Sequence, residues 1–199
     1  RLRRTFARLR RYADRRLWTE QASDYDLERQ RDVVVSASGS LAHVYFNVSP
    51  RPLDLIEVAV LYPQLLDALL ATPGIGAVAG RAGERTIVLG PQGGMSVVGD
   101  GRGVVGHPHP LAPFGEVDYA VRQMHQLAHF PHSGDLIVLG SVEDGRVVAF
   151  EEQVAAHGGL GGPQMRPFIA YPPECPLEPE TVNDPQELYT YFVQRYLEQ

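Results

Sequence analysis

Between residues 33 and 98 the chain alternates short apolar runs with turn residues. Val33-Val34-Val35-Ser36 and Leu41-Ala42-His43-Val44-Tyr45-Phe46 are rich in β-branched and aromatic residues, and Ser38-Gly39-Ser40 separates them, so the pattern predicts a hairpin. After Pro52 the apolar spacing becomes helical, and Pro63 suits the first turn of a second helix that runs to Leu70 and stops at Thr72-Pro73-Gly74. Short strands follow at 75–80, 86–89 and 95–98, separated by Gly83, Gly90, Pro91, Gly93 and Gly94 as in a meander. A Gly- and Pro-rich loop covers 99–115 and a helix covers about 116–129. The continuous apolar run Leu136-Ile137-Val138-Leu139 suits a strand buried on both faces. Further strands are expected at 146–150 and, buried, at 167–171, with a terminal helix at 185–197. Ahead of all this, Leu2, Phe6, Leu9, Leu17 and Leu27 place apolar faces on one or two helices within 4–30. The order mixes helices with hairpin and parallel-type strands, so the expected class is α/β, a mixed sheet with flanking helices.

Composition narrows the function classes. The chain has 199 residues, 44% of them hydrophobic and 21% charged, which is enough for one domain with a sizeable core. Its longest apolar stretch, 53–71, is interrupted by Asp54, Glu57, Pro63, Gln64 and Asp67, so it lacks the ~20 apolar residues that a bilayer core demands. With no membrane span and a single cysteine, Cys175, no internal disulfide can form, and a cytoplasmic location is expected for this chain. The start, Arg1-Leu2-Arg3-Arg4, has neither an initiator Met nor an apolar signal core, and reads as a piece of a longer protein. Ten of the 18 arginines fall within 1–31, which would suit phosphate-backbone contacts. Residues 33–199 carry 8 basic against 18 acidic residues, and that acidic body argues against nucleic acid as a partner.

Seven histidines invite a metal reading. His125 and His129, four apart on the expected helix, would share one face, with His132 shortly after. Position 126 is Gln, so the glutamate base of the HExxH pattern is missing, and surface or core roles are favoured. His107 and His109 stand in a loop spaced by prolines. The glycine runs 90–94 and 99–106 are followed by no Lys-Ser/Thr pair and suit hairpin turns better than a phosphate cradle. Ser38 is not a GxSxG nucleophile, because position 36 is Ser. The stretch His157-Gly158-Gly159-Leu160-Gly161-Gly162 differs, since its glycines let backbone approach a bound group and uncover the imidazole. His157 has the setting of a ligand.

These residues resemble the alkaline phosphatase superfamily, in its type I phosphodiesterase and nucleotide-pyrophosphatase branch. His157-Gly158, followed by Met165-Arg166-Pro167-Phe168-Ile169-Ala170, is similar to that branch's late HG segment and the core strand after it. Pro131-His132-Ser133-Gly134-Asp135-Leu136-Ile137-Val138 is similar to its GDL strand entry. Ser38 to Phe46, with the helix ending near Pro73-Gly74-Ile75, resembles the auxiliary region between its last Asp-His motif and the late histidine. The likeness spans most of 33–172.

The resemblance implies a bimetallic hydrolase in which aspartates and histidines hold two divalent ions, commonly zinc, while a Thr or Ser attacks phosphorus. It implies His157 as a metal ligand, with Glu151 or Glu152 as the acceptor that would orient its ring. The family's nucleophile and its other ligands all belong ahead of Arg1, so the missing N-terminal part of the same domain is the expected partner. The chain alone is then expected to be inactive, with no tightly bound metal and no catalytic residue of its own. The implied organisation is an Arg-rich helical segment at 1–32, an auxiliary α+β region at 33–130, and the C-terminal part of a phosphodiesterase-like α/β core at 131–199. Exposed strand edges in such a part favour self-pairing, which allows a homodimer. The competing reading is a non-catalytic protein-interaction module, for which His157 would be buried or remote from any cleft; the hydrolase reading requires it exposed in one.

Overall fold

Alternating apolar positions bring seven short strands into one sheet. A computed structural model describes residues 33–99, 103–152, 157–174, 177–178, 182 and 185–197. The helices expected within 4–30, the arginine cluster there and Cys175 lie outside the described residues. The contacts divide after Met165, and the two parts are described separately.

In the first part, seven strands form a single sheet: β1 (Val33–Ser38), β2 (Leu41–Phe46), β3 (Ile75–Ala82), β4 (Arg85–Leu89), β5 (Met95–Val98), β6 (Gly103–Val105) and β7 (Leu136–Gly140). Their order is β1-β2-β7-β3-β4-β5-β6. Helices α1 (Leu55–Leu61) and α2 (Leu65–Leu70) connect β2 to β3, and α3 (Val117–Ala128) connects β6 to β7. The class is α/β, a sheet with flanking helices, as the sequence predicts.

Strand direction differs from the expectation of parallel-type neighbours, because every hydrogen-bonded pair in the sheet is antiparallel. β2 and β3 do run the same way and are joined by a helical crossover, but β7 inserts between them and pairs with both. The division expected after residue 130 is for the same reason not where the contacts divide. β7 belongs to the middle of the sheet that 33–98 begins.

The run Leu136-Ile137-Val138-Leu139 is at most 4% exposed, and it feeds two cores. Leu136 and Val138 face α1 with Val44, Phe46, Val58 and Val78. Ile137 and Leu139 face α3 with Ala77, Ala79, Val88 and Met124. Period-two alternation thus sends successive β7 side chains to opposite layers. α1 begins at Asp54, whose backbone N–H donates to Glu57 Oε2 at 2.9 Å, one half of a capping box.

The connection from β2 to α1 is held from β7. Asp135, 6% exposed, accepts the backbone N–H of Phe46 at 2.8 Å and that of Leu53 at 2.7 Å. Arg81 from β3 reaches the same carboxylate at 3.5 Å and donates to Ala128 O at the end of α3 at 2.9 Å. One acidic side chain therefore ties both layers to the start of β7.

After β7 the chain forms a small ribbon, β8 (Val142–Glu143) with β9 (Arg146–Val147), shorter than the strand expected at 146–150. In the second part, α4 (Pro185–Phe192) continues as a π-type turn over Val193–Leu197, with the Phe192 ring edge-on to Tyr191 and tilted against Tyr196. The buried strand expected at 167–171 is not formed. Phe168 is 90% exposed and the segment pairs with no strand. Pro167, Pro172 and Pro173 remove three N–H donors, which leaves this stretch little with which to enter a ladder. No helix among the described residues is long and apolar enough to cross a membrane.

Candidate functional site

The β1–β2 turn is the base on which the His157 loop rests. Ser38 pairs with Leu41, so the turn has two residues, and Gly39 at φ 59° takes the first place, where primed hairpin turns need a positive φ. Its backbone engages the later chain in both directions: Phe150 N–H donates to Gly39 O at 2.7 Å, and Gly39 N–H donates to Glu151 Oε2 at 3.0 Å. Ser40, 2% exposed, gives its carbonyl to Gly140 N–H at the end of β7. Gly159 lies so close to this serine that a Cβ added to it would overlap the Ser40 hydroxyl. Gln164 Nε2 spans the same place, 3.5 Å from Ser40 Oγ and 3.3 Å from Leu160 O.

Between these anchors His157 is exposed. Gly158 (φ 86°) turns the backbone inward, and Leu160 enters the α3-side core beside Leu41 and Met165. Gly158 also lines a shallow cleft of about 160 Å³ with Leu41, Met124, Leu127, Phe130 and Leu160. This is well below the ~300 Å³ at which pockets begin to enclose a substrate-sized molecule. The cleft adjoins the loop through Gly158, does not include His157 in its lining, and is not a complete binding site.

Of the acceptors expected for the His157 ring, Glu151 is placed on the Gly39 turn and Glu152 is exposed. A catalytic zinc normally takes at least three protein ligands. Among the described residues no three His, Cys, Asp or Glu side chains gather as ligands, so they do not form a metal centre by themselves.

Four of the other histidines, His43, His109, His125 and His129, are partly buried in the fold, whereas His107 and His132 are exposed. His125 and His129 do share one face of α3, with ring centroids 4.5 Å apart. His125 Nδ1 is 3.0 Å from the hydroxyl of Thr86, a fully buried residue of β4, and His129 Nε2 is buried without a hydrogen-bond partner among the described residues. His43 Nδ1 accepts from Gly134 N–H at 3.0 Å, which requires the neutral ring, and burial pushes its pKa down. His109 Nδ1 accepts from Leu111 N–H at 3.1 Å and is likewise pushed down by burial. His132 is exposed, and its carbonyl accepts the hydroxyl of Tyr45.

Sequence reasoning found the His157 loop but missed Ser40 and Gln164. The signal available for Gly159 was the density of glycines around it; the serine that makes a glycine necessary there lies 119 positions earlier, where no local pattern points to it. No protein-family model matches the chain, and no curated protein or solved structure matches it significantly.

Proposed function

We propose that this chain is one part of a metal-dependent phosphoric-ester hydrolase of the alkaline phosphatase superfamily's phosphodiesterase branch, to which it supplies His157 as a metal ligand. The observation that carries the reading is the placement of His157: exposed, on a glycine loop anchored at both ends, with its neighbour Gly158 lining a cleft. His43 and His125, by contrast, are held by hydrogen bonds within the fold. The bound ions would stabilise the attacking and leaving oxygens of an in-line displacement at phosphorus. What this chain's own residues contribute is an accessible imidazole and, one residue on at Gly158, a mostly apolar cleft; the nucleophile and remaining ligands would come from the preceding part of the same protein.

Hydrolysis of an aryl phosphodiester tests this. The full-length protein should turn it over in a reaction abolished by a chelator and restored by zinc, and His157→Ala should lose most of that activity. Activity undiminished by His157→Ala would sink the reading, and turnover by the 199-residue chain alone would show that it is no mere part.

A second reading, an interaction module, draws support from β1. Among the described residues this strand is one of the two edges of the sheet, carries no charge or proline, and exposes Val33 (39%) and Val35 (62%). An edge of this kind can take up another strand, from a second copy or from the preceding part of the protein. Sedimentation of the chain with Val35→Lys tests it: loss of self-association supports the edge as an interface, and an unaltered monomer removes the homodimer.

A further inference from the structure

We infer that Ser40, Gly159 and Gln164 are positioning residues for His157, acting through a clasp in which the β1–β2 turn grips the glycine loop. The inference rests on His157 being the working residue of this loop, as proposed above, but its geometry stands without any metal. The two arms of the loop reach the same two-residue turn from opposite ends. On the entering arm, Phe150 N–H donates to Gly39 O and the Glu151 carboxylate accepts from Gly39 N–H. On the leaving arm, Gly159 packs against the Ser40 side chain and Gln164 bridges Ser40 Oγ to Leu160 O. The turn itself cannot shift freely, because Ser40 O is bonded to Gly140 N–H at the end of the central strand β7.

His157 stands two residues before the contact at Gly159, so a displacement there is passed to the imidazole through two peptide units. Gly159 has no need of glycine's left-handed freedom; the missing side chain is required chiefly by the Ser40 hydroxyl opposite, with Ser40 Cβ and Gln164 Nε2 the next nearest atoms. That makes the contact a matter of space alone, and space can be exchanged between the two positions. Loops that carry ligands must be held to about 0.5 Å, and loss of an orienting partner typically weakens a metal site by about 10–100-fold.

The test is the ring signals of His157 in histidine-labelled NMR spectra of the intact chain, assigned by their disappearance in His157→Ala. Gly159→Ala should shift or broaden them while the ring signals of His43 and His125 stay in place. The double variant Gly159→Ala/Ser40→Gly, which returns the space the new methyl takes while giving up the 3.5 Å contact of Ser40 Oγ with Gln164, should bring them back toward their wild-type positions. Unchanged His157 signals in Gly159→Ala, or no restoration in the double variant, overturns the clasp. If Gly159→Ala disturbs every histidine, Gln164→Leu carries the test: it should move the His157 signals alone, and no movement overturns the clasp equally. The metal role is read separately from zinc bound by the full-length protein. Rescue in the spectra with zinc content indifferent to His157→Ala keeps the clasp and removes the ligand reading.

Discussion

Replacing Asp135 by alanine removes the acceptor for two buried backbone donors at once, the N–H groups of Phe46 and Leu53. Each buried donor left without a partner costs about 1–3 kcal/mol. Relief of the carboxylate's own desolvation offsets part of the loss, while Arg81, also mostly buried, loses its counter-charge. The net expected destabilisation is about 3 kcal/mol. Asparagine keeps one oxygen and turns an NH₂ toward the other donor, so Asp135→Asn should cost less, about 1–3 kcal/mol. Urea unfolding at pH 7, with an unchanged slope, measures both. An alanine variant within about 1 kcal/mol of wild type would refute the clamp.

The pH dependence gives a second check on the same residue. Burial raises the Asp135 pKa above its ordinary 3.8, against the pull of the two N–H donors and Arg81. A raised value means that the folded chain holds the proton more tightly than the unfolded one. The contribution is therefore fully present below 3.8 and is lost as pH rises through the folded value. Asp135→Asn does not titrate, so its deficit relative to wild type should be wider near pH 4 than at pH 7, with His43 common to both chains and cancelling. A deficit wider at pH 7 would mean that the donors, not burial, dominate.

Three further outcomes follow from the packing. His43, whose pKa burial lowers from 6.5, should make the chain less stable as pH falls below that value, because the unfolded chain takes up the proton first; His43→Asn, which can still accept from Gly134, should flatten this part of a stability-against-pH curve. Met124→Ala, at 1% exposure in the α3 layer, should cost about 2–5 kcal/mol in urea unfolding, whereas Phe168→Ala, at 90% exposure, should stay within about 0.5 kcal/mol. Thr86→Val removes the hydroxyl bonded to His125 at no change in bulk and should cost about 1 kcal/mol by the same assay.

What could be read from the sequence was what short-range pattern controls. The β1–β2 hairpin announces itself through Gly39-Ser40 between β-branched runs, the β3–β5 meander through its glycines, and α3 through its apolar spacing, found at 117–128 against an expected 116–129. The burial of β7 on both faces was legible as well, since four consecutive apolar residues leave no face for water. Its partners were not. Nothing local in Leu136–Gly140 tells that it enters between β2 and β3, and the expected mixed sheet becomes antiparallel throughout on that one placement. The failure at 167–171 has the reverse cause: Phe168 and Ile169 look like core residues, but prolines on both sides withhold the donors that pairing would need. At the candidate site, His157 was legible because glycines clear space around it, while Ser40 and Gln164 were not, because their contact exists only once the hairpin turn meets the loop.

The most direct measurement of the central claim is the zinc content of the full-length protein, wild type against His157→Ala, after dialysis and with folding checked by circular dichroism. The account predicts that the folded variant loses bound zinc; equal zinc in the two proteins would contradict it.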